Sequence, residues 1–74
     1  MKVNDNKKIA KKLVNLRGND TRAAVASALG ITKSAVAMYE RGERIPRDDI
    51  KIKYAKLYGK TVEEIFYAHK VHTS

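Results

Sequence analysis

Four glycines, at positions 18, 30, 42 and 59, divide this chain of 74 residues into short segments that suit the helices of one small domain. Between them, apolar residues recur at intervals of three and four, which is the spacing of an amphipathic helix rather than of a strand. Glycine is favoured directly after a helix because it adopts positive φ without strain. The sequence therefore predicts an all-α fold, a compact bundle of about five short helices in a single domain over residues 1–74.

Capping residues locate the predicted helix starts, because Asp, Ser, Thr and Asn side chains accept hydrogen bonds from the first backbone N–H groups. Pro46 blocks continuation of the third helix. Thr61 and Glu64 have the spacing of a capping box at the start of the fifth. The predicted helices run over about residues 5–17, 22–29, 33–41 and 48–58, with a fifth from about residue 61.

The charge of the chain predicts a polyanionic partner. Sixteen Lys and Arg residues against eight Asp and Glu residues leave a net charge of +8, concentrated in the first two thirds of the chain. Such an excess is typical of nucleic-acid binding, with solubility alone as the alternative explanation. The longest mostly apolar run, Ala23–Ile31, is too short for a membrane span. We expect a soluble cytoplasmic protein that makes no membrane contact.

The second and third segments have the form of a helix-turn-helix over residues 21–41. Small Ala26 permits a close helix crossing, Gly30 supplies the turn, and Ile31 lies beneath it. Val36 and Tyr39 follow at the spacing that turns both side chains back toward the first helix of the pair. Together these residue types in this register indicate a DNA-binding unit.

The sequence TRAAVASALGITKSAVAMYERGERIP, residues 21–46, resembles the phage-repressor and Cro type of regulator, the XRE family. The likeness extends from about Ile9 to Phe66. It implies a lambda-repressor-like DNA-binding domain, and a transcriptional regulator, expected to be a repressor, that binds a double-stranded DNA operator as a homodimer. One departure is Arg22, which stands where the family has a glutamine that contacts phosphate and braces the recognition helix.

Residues 33–41 are the predicted recognition helix, whose N-terminal end enters the major groove. Small side chains allow the backbone to approach the bases, lysine can donate to guanine, and apolar groups can cover thymine methyl groups. The alternative is an ordinary solvated helix face, with Met38 partly buried. The predicted base contacts are Lys33, Ser34, Ala37 and Met38, and the predicted phosphate contacts are Arg22, Thr32, Arg41, Arg44 and Arg47. Lysines 7, 8, 11 and 12 are interpreted as a solvated face of the first helix.

Two further assignments concern structure. The resemblance implies that Glu40 faces inward and pairs with Arg17; the alternative is a solvated glutamate. We expect a dimer interface formed by Ile65, Phe66 and Tyr67, with a tail over residues 67–74 that is flexible or contributes to dimerisation. The alternative is that these apolar residues close the core of the monomer.

No cofactor, metal or small-molecule ligand is expected. His69 and His72 lack a third ligand, and no arrangement of nucleophile, base and acid suggests an enzyme. The rival function is an antitoxin-type protein-interaction module that also regulates its own promoter. Such proteins usually devote a substantial extra segment to the toxin, and here only the last eight residues are unassigned.

Overall fold

Local sequence signals set the helix bounds throughout residues 5–67, the part of the chain that the computed structural model describes. These residues form α1 (Asp5–Arg17), α2 (Arg22–Leu29), α3 (Lys33–Glu40), α4 (Asp48–Tyr58) and a C-terminal π-helix (Glu63–Tyr67), with no strand among them. The predicted all-α fold of five short helices is therefore confirmed. The predictions for the tail beyond Tyr67, including both histidines, lie outside the described residues.

The predicted caps form as hydrogen bonds. The Thr21 hydroxyl accepts from the Ala24 N–H at 3.0 Å, starting α2, and the Thr32 hydroxyl does the same for the Ala35 N–H at 3.0 Å, starting α3. At the fifth helix the Glu64 N–H donates to the Thr61 hydroxyl at 3.0 Å, and the Thr61 N–H donates to Glu64 Oε1 at 2.8 Å. Reciprocal bonds of this kind define a capping box.

The fifth helix departs from the expected α-helix, because Glu63–Tyr67 form a π-helix. The wider turn of a π-helix rotates successive side chains by less than an α-helix does. Ile65 and Phe66 are consecutive, and both side chains are 1% exposed. The wider turn thus lets two neighbouring apolar side chains enter the core together.

Aromatic side chains occupy the centre of the core. Tyr54 of α4 is fully buried, and its ring packs edge-on against Tyr39 of α3 and Phe66, with centroids 6.3 and 6.0 Å apart. Tyr58 packs on the same ring at 5.9 Å. Edge-to-face pairs at these distances add to the stability that burial provides. The remaining fully buried side chains come from the other helices: Leu13, Leu29, Val36 and Ile65.

The helices cover only one side of α3. Helix α2 packs on α3 and α4, whereas α1 packs on α3 and the π-helix. The other side of α3 stays at the surface, which is the arrangement that a recognition helix needs. No helix within residues 5–67 is long and apolar enough to cross a membrane.

Candidate nucleic-acid interface

A tight turn fixes the angle between α2 and α3. Gly30 follows α2 with φ of 71°, a left-handed backbone conformation that residues with a side chain rarely adopt. The next N–H, that of Ile31, donates to the Ala26 carbonyl at 3.0 Å, and the Ile31 side chain is half-buried against the core. Since Thr32 then caps α3 directly, three residues connect the helices and leave little freedom between them.

The residues of α3 that pack inward are those that the sequence predicts. Val36 and Glu40 are buried, and Tyr39 is half-buried against the core. Of the four predicted base-contact residues, Lys33 and Ser34 in the first turn of α3 are exposed, while Ala37 and Met38 are half-buried. All four predicted base-contact residues therefore lie on α3, and the two at its N-terminal end are the most accessible. Their contacts with bases remain a prediction.

Glu40 is a buried charged residue on the inward side of α3. Its side chain is 0% exposed and accepts a hydrogen bond from each of two arginines: from Arg17 Nε to Oε2 at 2.8 Å, and from Arg22 Nε to Oε1 at 2.9 Å. The pairing of Glu40 with Arg17 is present as the resemblance implies. Because α1, α2 and α3 each supply one member, the three side chains brace the recognition helix from behind.

The second partner, Arg22, was not predicted for this role. Its side chain is 37% exposed, so it borders both the buried carboxylate and the surface. An arginine at the position of the family's glutamine therefore keeps the bracing function, through an ion pair. The available signal was the placement of Arg22 at the first residue of α2, beside the loop that joins α1 to α2.

The electrostatics around Glu40 extend to neighbouring groups. The hydrogen bond to Glu40 raises the pKa of Arg17 above its ordinary value. Burial raises the pKa of the Tyr58 hydroxyl, and the nearby Glu40 carboxylate raises it further. Arg17 also donates through Nη1 to the Asp20 carbonyl at 2.6 Å, which ties α1 to the loop before α2.

A basic cleft of about 660 Å³ lies between the starts of α2 and α3. Its walls combine guanidinium, ammonium and hydroxyl groups with the small side chains of two alanines. Donors of this kind can bind the oxygens of a phosphate backbone, while the small side chains let it approach closely. The lining residues are Arg17, Thr21, Arg22, Ala23, Lys33, Ser34 and Ala37.

The loop after α3 carries three of the predicted phosphate contacts. Arg44 and Arg47 are exposed, and they line a second concavity of about 560 Å³ together with Tyr39 and Ile45. Arg47 is 3.9 Å from Asp49, a distance too long for a strong ion pair at the surface. Arg41 differs from the other two because it is paired with Glu43 of the same loop.

The three residues assigned to a dimer interface are placed differently from that expectation. Ile65 and Phe66 are each 1% exposed and pack inside the protomer. This corrects their assignment, because a side chain enclosed by its own chain has no surface for a second copy. Tyr67 is half-buried and keeps some exposed surface. The alternative interpretation, closure of the monomer core, describes the first two residues.

Two lysines have roles that the sequence analysis missed. Lys51 is buried, where it donates to the Tyr67 hydroxyl at 2.6 Å and its ammonium lies 4.8 Å from the Tyr67 ring centroid. Its register with Ala55 and Tyr58 on α4 is the signal that predicts an inward position. Lys12 is half-buried and donates to the Glu64 carbonyl at 2.8 Å, unlike the exposed lysines 7, 8 and 11. It joins α1 to the π-helix rather than belonging to a solvated face.

Within residues 5–67, no three His, Cys, Asp or Glu side chains cluster as metal ligands would. A helix-turn-helix family model, that of the XRE type, matches residues 9–65, which is most of the chain. No curated protein and no solved structure is similar enough to count as a match.

Proposed function

This chain belongs to the helix-turn-helix family of DNA-binding transcriptional regulators, and we propose that it is a repressor that occupies an operator as a dimer. The observation that supports this most is the geometry of α3. Its N-terminal end is exposed beside a basic cleft, while Glu40 ties its opposite face to two other helices. A rigidly held helix with an accessible end is suited to the major groove. The site of action is then the bacterial or phage-infected cytoplasm, at the nucleoid.

Each proposed contact follows from the chemistry of the exposed groups. Lys33 donates to O6 and N7 of guanine, Ser34 bonds to a base edge, and Ala37 and Met38 cover thymine methyl groups. Thr32 can donate its hydroxyl proton to a phosphate while its oxygen caps α3. The guanidinium groups contact the backbone, where they set register rather than sequence. They belong to Arg22, Arg41, Arg44 and Arg47.

We expect the purified chain to select a sequence with two related half-sites about one helical turn, roughly 34 Å, apart, because one recognition helix reads too few bases. If each of two protomers neutralises about four phosphates, a plot of log K against log salt should have a slope near −7. In vitro selection from random duplexes identifies the preferred sequence, and footprinting measures the spacing of its half-sites. A salt titration measures the slope.

A scrambled duplex of the same length and composition is the control for this experiment. Equal affinity for the selected and scrambled duplexes, or affinity that does not change with salt, would contradict operator binding. A footprint over one unpaired half-site would contradict the dimer alone.

A second prediction separates base contacts from phosphate contacts. Lys33→Ala should cost roughly 1–3 kcal/mol of binding free energy on the selected operator and relax the preference at one guanine. Arg44→Ala, which removes a cation from the loop, should weaken binding to all sequences about equally. Competition titrations with operators substituted one base pair at a time measure both effects. If Lys33→Ala lost the same free energy on cognate and scrambled duplexes, the assignment of Lys33 would be wrong.

A further inference from the structure

An ion pair between Arg41 and Glu43 lies directly after the C-terminal end of α3, the predicted recognition helix. Arg41 Nε lies 2.9 Å from Glu43 Oε2, and Arg41 Nη2 lies 3.1 Å from Glu43 Oε1. Two parallel N–H to oxygen bonds from one guanidinium form the fork geometry that arginine also makes with phosphate. Both side chains are about half exposed, at 51% and 53%, so the pair lies on the surface that carries Arg44 and Arg47.

The backbone holds the two side chains of this pair on one turn. The Arg41 N–H donates to the Ala37 carbonyl at 3.0 Å, and the Glu43 N–H donates to the Met38 carbonyl at 2.9 Å. Gly42 between them has φ of 77° and packs so closely on α1 that an added Cβ would lie 3.3 Å from the Asn6 carbonyl oxygen. The fixed turn therefore holds the Cα atoms of Arg41 and Glu43 at a constant separation, within reach of the ion pair.

Glu43 is also held in its charged form. The hydrogen bonds from Arg41 lower the pKa of Glu43 below its ordinary value, and Lys7 of α1 lowers it further. At neutral pH this carboxylate is therefore an anion among cations, at the edge where DNA phosphates would approach. Any phosphate that binds Arg41 through the same fork has to displace Glu43 and approach its negative charge.

We propose that Glu43 is an internal competitor for DNA phosphate: it occupies the fork of Arg41 and lowers the affinity of the protein for any duplex, independently of sequence. This inference rests on the proposed function and adds to it a residue that sets affinity and salt dependence. Because phosphates carry no sequence information, Glu43 lowers the affinities for operator and random duplex alike. Weaker binding to random DNA shortens the time that the protein spends at each non-specific site.

The test is Glu43→Gln, which keeps the shape of the side chain and removes its charge. Affinity for a random duplex at about 0.1 M salt should rise about three- to tenfold. The slope of log K against log salt should become more negative by up to about 0.9 for each protomer bound, because Glu43 no longer offsets the charge that Arg41 brings to a phosphate. The ratio of operator to random affinity should stay unchanged.

Two further variants make the test specific to this ion pair. Glu63→Gln, in the π-helix, removes the same charge from the exposed start of that helix and controls for net charge. It should raise the affinity by less than twofold. In an Arg41→Gln background, Glu43→Gln should change affinity no more than the Glu63→Gln control does, because the fork that it would release is absent.

The outcomes distinguish this inference from the function on which it rests. If the wild type binds duplex DNA and Glu43→Gln matches Glu63→Gln, or has its full effect without Arg41, then Glu43 does not compete for the fork. If neither wild type nor any variant binds any duplex, both the proposed function and the competitor role are wrong. Fluorescence anisotropy with a labelled random duplex across a range of salt concentrations measures every quantity needed.

Discussion

Glu40→Gln should lower the free energy of unfolding by about 3 kcal/mol, because it leaves two arginines without the carboxylate that both contact. The Glu40 side chain is wholly buried, so water cannot take the place of the lost carboxylate beside the two arginines. Arg17→Met should lower the free energy of unfolding by about 2 kcal/mol, because the Arg17 side chain is only 19% exposed. Arg22→Met should cost less, about 1 kcal/mol, because Arg22 is more than a third exposed and water screens its charge.

Double-mutant cycles in urea isolate each pair. The Glu40→Gln, Arg17→Met double variant should lose less than the sum of the single losses, with a coupling of at least about 1 kcal/mol. Coupling between Glu40 and Arg22 should be smaller. The matched control is Glu43→Gln, which removes an exposed carboxylate and should change stability far less than Glu40→Gln does. Additive losses in both cycles would contradict the brace, since independent side chains show no coupling.

Phe66→Ala should cost about 3–5 kcal/mol of stability, which is comparable to the whole stability that a domain of this size obtains from its core. Phe66 is 1% exposed and packs against Tyr54 at the centre of that core, so the substitution leaves a cavity there. We expect the variant to be largely unfolded at 25 °C by circular dichroism. Leu57→Ala, at a side chain that is 40% exposed, is the control and should cost about 1 kcal/mol or less.

Phe66→Leu keeps most of the volume and should leave a folded protein, at a cost of about 1.5 kcal/mol. Its melting temperature should fall by the same amount at every protein concentration, because the side chain serves one protomer. A residue in a dimer interface gives a fall that depends on concentration. If either Phe66 variant kept the wild-type melting temperature and lost only cooperative operator binding, Phe66 would belong to an interface between protomers instead of the core.

The proposed repression would follow from occupancy of the operator by the dimer, with α3 of each protomer at the bases and the cations of the surrounding loops at the phosphates. The proposed competition by Glu43 then affects the rate at which the protein finds its operator. A basic protein that holds every duplex tightly finds its operator slowly, because non-specific sites far outnumber specific ones. One carboxylate within the phosphate-binding surface reduces that retention without altering the bases that are read.

Local chemistry in the sequence was sufficient for the bounds of the first four helices, to within one residue, and for the helix-turn-helix. Thr21, Thr32 and Thr61 act on backbone groups within three residues of themselves, and Gly30 and Gly59 end the preceding helices through their own φ. Such interactions depend on neighbours in the chain, so residue type and spacing predict them. The opposite faces of α3 are equally local, because helical periodicity alone separates buried Val36 from exposed Ser34.

Only the tertiary structure decided which distant groups meet. Nothing in the spacing shows that both Arg17 and Arg22 reach Glu40, since that depends on where three helices converge. The apolar residues of the last helix could equally have faced a partner, but α1 and α4 cover Ile65 and Phe66, and Lys51 of α4 is buried beside Tyr67. Burial is a property of the packed helices together. A single segment determines which of its residues share a face, whereas its neighbours determine whether that face is covered.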